Sequence, residues 1–200
     1  AKKFDINFKI MSWNEKKPVT SIMHKAREIR YEKMINFCKK NKIITIMTAH
    51  HYDDSLETYI MRKNRNSQTI SFKGIPIKNS QDDVQILRPL INIKKERLVQ
   101  TCLKSNFTWI EDPSNKNEKF ERVKIRKFLG NLSNKEKYEL DQEFKRCIEK
   151  NNITEKRIVN FFMKNLKFRV YGQFLLDKKK FLLESHFLQI AILKRLLITC

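Results

Sequence analysis

Apolar positions fall along this chain in blocks whose spacing switches between two residues and about three and a half. Phe4, Ile6, Phe8 and Ile10 alternate with polar residues, which predicts a strand. A polar connector containing Pro18 follows. From Thr20 to about Lys40 the pattern is helical, with Ile22, Ala26, Ile29, Lys33 and Phe37 as a mostly apolar stripe. Lys42 to Met47 is a short, β-branched apolar run bounded by polar residues, the signature of a strand buried on both faces of a parallel sheet. Helical spacing returns with Leu56, Ile60 and Met61, and Asp54 with Glu57 three residues on has the form of a capping pair at that helix start.

Further along, Gly74-Ile75-Pro76 and a polar turn from Lys78 to Asp83 lead to a strand from Val84 to Leu90, ended by Pro89 because proline cannot donate to a sheet ladder. A basic helix over Lys94–Lys104 carries its apolar side on Leu98, Cys102 and Leu103. Asp112-Pro113-Ser114-Asn115 reads as a turn. In the helix after it, Arg122 and Arg126 fall four apart on one face. Beyond about Leu129 the character changes. Lys135 to Lys167 is charged and helical; Phe168, Val170, Phe174 and Leu175 predict an extended segment around Gly172; Phe181 to Ile198 is an apolar-rich helix. Residues 1–130 are therefore expected to form an α/β domain and residues 131–200 a smaller, mainly helical one.

Charge narrows the function. Lys and Arg number 43 against 22 Asp and Glu, a formal net charge of +21 that favours a polyanionic partner. Lysine, asparagine and isoleucine are abundant while glycine and proline are scarce, a bias that nucleotide composition alone produces, so charge supports nucleic acid without proving it. No run of about 18 uncharged apolar residues spans a membrane, and the start lacks the apolar core of a secretory signal, so a cytoplasmic setting is expected. The four cysteines form no Cys-x-x-Cys pair, which indicates neither zinc nor an iron–sulfur cluster and suits a reducing compartment.

The densest chemistry is Thr48-Ala49-His50-His51-Tyr52-Asp53-Asp54-Ser55-Leu56-Glu57-Thr58, at the expected carboxyl end of a strand and the start of a helix. Open α/β sheets bind ligands at such turns. Taken singly, Asp54 and Glu57 could be capping acids and His50 and His51 loop residues. His with Asp also suits a transition metal, but adjacent histidines without an H-E-x-x-H or Cys-x-x-Cys pattern give that reading no support.

This stretch resembles the H-H-x-D-D-x-x-E-T motif of tRNA(Ile)-lysidine synthetases, members of the PP-loop (N-type) ATP pyrophosphatases. Ala26-Arg27-Glu28-Ile29-Arg30-Tyr31 resembles the family's A-R-x-x-R-Y, and Ile86-Leu87-Arg88-Pro89-Leu90 its I-L-R-P-L. Trp109 to Asn115 matches W-x-E-D-P-S-N, and Arg122 to Arg126 matches R-N-x-I-R with Val123 in place of asparagine. These last two separate lysidine synthetases from the thiolation enzymes of the superfamily, many of which use paired cysteines. Arg62 to Gln68 resembles R-x-x-R-G-S-G with both glycines replaced, by Asn66 and Gln68; glycine there permits positive φ and close approach to a ligand. The family's S-G-G-x-D-S phosphate loop is not among these residues, which hold three glycines in all. The resemblance covers most of residues 1–130, the later part of the family's catalytic domain.

What the resemblance implies is a Rossmann-like, parallel-sheet domain of the adenine nucleotide alpha hydrolase-like type, incomplete at its N-terminus. The activity implied is ATP-dependent ligation of free lysine to the wobble cytidine of tRNA(Ile) through an adenylated intermediate, with Mg accompanying ATP. It implies catalytic roles for His50, His51, Asp53, Asp54 and Glu57, ATP contacts from Arg27, Arg30, Arg62 and Arg65, and RNA contacts from Arg122 and Arg126. A homodimer is the expected assembly, with no membrane partner and no protein-held metal. The alternatives are a catalytically inactive remnant that at most binds tRNA, a thiolation enzyme, and a generic helix-rich fold.

Overall fold

A computed structural model describes residues 5–13, 22–65, 74–112, 117, 119–169 and 173–199. Packing divides the chain into two units, residues 1–51 with 76–93, and residues 52–75 with 94–200. That division follows tertiary contacts and cuts across the 130/131 boundary drawn from the change of character along the sequence.

The first unit holds α1 (Ile22–Lys40), β1 (Thr45–Met47), β2 (Lys78–Gln81) and β3 (Val84–Leu87). The sheet order is β1-β3-β2, with β1 parallel and β2 antiparallel to β3. β3 is central, and its alternate residues Val84 and Ile86 are buried with Tyr31, Ile35 and Cys38 of α1. The buried stripe of α1 therefore passes through Tyr31, Ile35 and Cys38, and shares only Ile29 with the expected one, while Ile22 is exposed. β1 forms the expected parallel pair but is not buried on both faces: among the described residues it lies at the sheet edge, and Ile44 and Met47 are exposed. The stretch expected as a polar turn, Lys78 to Asp83, is a strand plus a two-residue hairpin loop. Asp82 and Asp83 both have positive φ, 48° and 67°, as a type I′ turn requires. The strand expected over Phe4–Ile10 is absent among the described residues, where Ile6, Phe8 and Ile10 are exposed; an alternating segment without a partner strand has no ladder to join. Phe4 lies outside the described residues.

The second unit contains α2 (Tyr52–Asn64), α3 (Lys95–Lys104), α4 (Glu121–Asn131), α5 (Asn134–Asn165), β4 (Leu166–Phe168), β5 (Phe174–Leu176), α6 (Lys178–Leu182) and α7 (His186–Thr199). α5 starts on a capping box, Ser133 accepting from the Glu136 amide and Glu136 accepting from the Ser133 amide. Two apolar clusters serve the described residues of this unit. One joins Tyr59 and Ile60 of α2 to Ile125 of α4 and Phe144 of α5; the other joins Ile158 and Phe161 of α5 to Leu188, Ala191, Ile192 and Leu196 of α7. The extended segment expected near Gly172 is the antiparallel pair β4–β5, with residues 170–172 outside the described set. The single terminal helix expected from Phe181 is two helices, interrupted at Leu183–Ser185. α3 buries none of its side chains: Leu98 and Cys102 are half-buried and Leu103 is exposed.

Candidate active site

The division between the units falls inside the central stretch of the sequence, after His51 and before Tyr52, and each part belongs to its own unit. In the first unit the chain leaves β1 with the Thr48 amide donating to Leu87 O at 2.9 Å, so Thr48 extends the parallel pairing past the strand. Thr48 Oγ1 then lies 2.8 Å from His50 Nδ1, which fixes the ring orientation and leaves Nε2 as the other donor or acceptor. His50 and His51 are both half-buried. Arg27 and Arg30 project from α1 and are exposed, with Arg27 stacked on the Tyr31 ring at 5.1 Å. Arg88, beyond the end of β3, is buried, the one such cation among the described residues of this unit. It donates to Pro76 O at 2.8 Å and to Asn79 Oδ1 at 2.6 Å.

In the second unit α2 begins at Tyr52, one turn earlier than a capping role for Asp54 would need. Asp53 and Asp54 lie in its first turn, where acids favour the helix dipole. Asp53 Oδ2 accepts from the Lys95 amide at 2.7 Å, satisfying the first turn of α3, whose own N-cap residue Lys94 supplies no side-chain cap. Glu57, expected to reach back to its own helix start, is instead buried and pairs with Arg126 of α4. Nε donates at 2.6 Å and Nη2 at 3.3 Å, a two-point grip on one carboxylate. Arg126 Nη2 is also 3.9 Å from Asp54, and Glu57 holds the guanidinium firmly protonated. One turn back on α4, Arg122 donates to Thr58 Oγ1 at 3.3 Å, and Thr58 donates to Asp54 O at 2.8 Å. Asp54, Glu57, Thr58, Arg122 and Arg126 are thus one connected polar set. Arg122 and Arg126, four apart on one face of α4 as their spacing implies, are both half-buried and turned toward α2, where the buried Glu57 carboxylate needs a cation.

Arg62 is half-buried and donates to Gly74 O at 3.4 Å; Arg65 is exposed and pairs with Glu121. The replaced glycine positions Asn66 and Gln68 lie outside the described residues, as do Pro113, Ser114 and Asn115. Trp109, ahead of them, is exposed.

Sequence reasoning passed over several residues that hold this arrangement. Ser55 is buried and accepts from the Ile75 amide at 2.8 Å, and a side chain on Gly74 would meet Ser55 Oγ at 2.0 Å and Phe144 Cζ at 2.9 Å. Tyr52 fills the variable position of the H-H-x-D-D pattern, yet its hydroxyl donates to Asp141 at 2.6 Å. Tyr59 donates to Glu143, also at 2.6 Å. Asp141 and Glu143 stand in a charged helix with nothing local to single them out. Among the described residues no group of three or more His, Cys, Asp and Glu is arranged to hold a metal ion.

A family model described as a PP-loop domain matches residues 1–133. Among curated proteins, a tRNA(Ile)-lysidine synthase of Rickettsia felis is 32% identical over 189 residues, 94% of this chain and 44% of the relative. One from Rickettsia bellii is 29% identical over 202 residues, 99% of this chain and 46% of the relative. One from Rickettsia conorii is 37% identical over 120 residues, 60% of this chain and 25% of the relative. The chain thus spans less than half the length of these relatives.

Proposed function

The chain belongs to the PP-loop domain family, and from that premise we propose that it is part of a tRNA(Ile)-lysidine synthetase, joining lysine to the wobble cytidine of AUA-decoding tRNA(Ile) at the expense of ATP. The family's fold is Rossmann-like α/β and its ligand is ATP. Residues 1–130 are the later part of the catalytic domain in this reading, of the adenine nucleotide alpha hydrolase-like type, and residues 131–200 a mainly helical second domain.

The observation that carries the proposal is the grip of Arg126 on Glu57, 69 residues away, with Asp54 beside it. It links the H-H-x-D-D-x-x-E-T stretch to the R-x-x-I-R stretch, the second of which separates lysidine synthetases from their thiolation relatives. In the proposed reaction the cytidine C2 oxygen attacks the α-phosphorus of ATP and pyrophosphate leaves. The ε-amine of free lysine then attacks C2 and AMP departs. An ammonium must first be held and lose a proton, the work assigned to Asp53, Asp54 and Glu57. His50 and His51 donate to the nucleotide or the reacting base. Arg27, Arg30, Arg62 and Arg65 offset phosphate charge, and such charge-assisted bonds are among the strongest a protein makes. Arg122 and Arg126 are assigned to RNA, Arg126 with its guanidinium already shared with Glu57. Mg accompanies the triphosphate and is given no ligand among these residues. A homodimer is the proposed assembly and the cytoplasm the proposed setting; among the described residues no helix is long and apolar enough to cross a membrane.

Asp54→Ala and Glu57→Ala in the intact protein test the roles, with labelled lysine, ATP and a tRNA(Ile) transcript. Loss of label transfer is expected in both; transfer at the wild-type rate would overturn the assignment.

A further inference from the structure

The acids of α2 are held from two sides, and only one side involves groups placed in the proposed chemistry. At 100° per residue, Tyr52, Ser55 and Tyr59 share one side of α2, while Asp54, Glu57 and Thr58 fall on roughly the opposite one. α4 grips the acidic side through Arg122 and Arg126. α5 grips the tyrosine side. Tyr52 donates to Asp141 Oδ1 at 2.6 Å, and Lys145 occupies Oδ2 of the same carboxylate at 2.8 Å. Two turns further along α2, Tyr59 and Lys63 both donate to Glu143 Oε1 at 2.6 Å. Between these anchors Phe144 is fully buried, its ring 5.6 Å from that of Tyr52 and 5.0 Å from that of Tyr59.

We propose that Asp141 and Glu143 are positioning residues for the α2 acids: by locking the phenols of Tyr52 and Tyr59 over the Phe144 ring, they fix the rotation of α2 and so the direction in which Asp53, Asp54 and Glu57 point. Neither residue touches a reacting atom. The proposal deepens the ligase reading and rests on it for the meaning of the acids, though not for the geometry.

Packing alone would leave α2 some freedom to roll, since apolar contact is not directional. Two hydrogen bonds seven residues apart remove it. With side chains at an outer radius of about 5–6 Å, a roll of about 10° moves a carboxylate by roughly 1 Å. A displacement of that size costs up to about a hundredfold in rate when a group must meet a substrate in register. The pull is also needed, because the Arg126 grip on the opposite side is 38% exposed and open to rearrangement when substrate arrives. The α5 anchors hold α2 through such a change.

Tyr52→Phe, Asp141→Ala, their double variant and Asp141→Asn, all in the intact protein, test this by lysine-transfer kinetics and by hydrogen–deuterium exchange of α2. Tyr52→Phe and Asp141→Ala are each expected to lower kcat by about tenfold or more, with KM for ATP within about twofold. The double variant is expected to fall no further than the worse single one, since both remove one bond. Asp141→Asn, which still accepts from the phenol, is expected to recover most of the rate. Exchange is expected to quicken in α2 and not across the whole protein. Lowered melting temperature with wild-type kcat per folded molecule would overturn the proposal and leave a structural role. If the wild-type protein transfers no lysine, the ligase reading fails by itself and exchange decides: faster exchange confined to α2 in Asp141→Ala supports positioning, and unchanged or uniformly faster exchange overturns it.

Discussion

Glu57 is 2% exposed and carries a carboxylate, a placement that a helix tolerates only with a cation in reach. Arg126 supplies it. Arg126→Ala is expected to cost about 2 kcal/mol in urea denaturation, below the figure for a fully buried pair because the Arg126 side chain is 38% exposed and solvent screens it. Glu57→Gln removes the charge with little change of size, and should cost less than Arg126→Ala. A second residue-scale constraint is steric. Gly74 faces Ser55 and Phe144 so closely that an alanine Cβ would overlap Ser55 Oγ at 2.0 Å. Gly74→Ala is expected to destabilise by about 1–3 kcal/mol. Combining it with Ser55→Ala should cost less than the sum of the singles, because the second change removes the closest clash; thermal melts of the four proteins check this. Neither constraint was legible beforehand. Glu57 read as a capping acid because Asp54-x-x-Glu57 fits that template locally, and the Gly74 contact needs three elements to meet.

At the scale of elements, the attachment of α2 to α5 has a definite pH window. Burial pushes the Asp141 carboxyl up, but hydrogen bonds from Lys145 and Tyr52 outweigh it and hold it below its usual range. Lys63 and Tyr59 hold the Glu143 carboxyl down likewise. Both folded values lie below the unfolded ones, so the stabilisation is fully present above the ordinary carboxylate range and is lost as pH falls through the depressed folded values. Burial first, and then Asp141 and Glu143 respectively, raise the Tyr52 and Tyr59 phenols. Their contribution is complete below the ordinary phenol range and fades as pH rises above it. Denaturation of wild type against Asp141→Asn/Glu143→Gln should show a steeper acid loss in the wild type, and equal slopes would contradict the linkage. Helices α1 and α5 were readable from periodicity to within about two residues at each end, and α2 as a helix whose start was placed a turn too late. The edge position that β1 takes among the described residues was not, because Lys42 to Met47 is as apolar as a central strand and only pairing order distinguishes them.

For the whole molecule the governing quantity is the net charge of +21. If tRNA is the partner, neutralised phosphates release counterions, so affinity of the intact protein should fall steeply and linearly in log–log against salt. Arg122→Ala is expected to reduce that slope by about one and to weaken binding evenly across RNA sequences, as measured by filter binding; an unchanged slope would remove Arg122 from the RNA surface. Composition, periodicity and short motifs settled the partner class to look for, the principal helices and the PP-loop membership, since all of these depend on residues near one another along the chain. The tertiary structure alone decided that Glu57 meets Arg126, that Tyr52 meets Asp141 and that Tyr59 meets Glu143, across 69, 89 and 84 residues. A charged residue in a helix carries no mark of its distant partner. Burial gives each of these bonds its worth, and burial exists only once α2 is packed between α4 and α5.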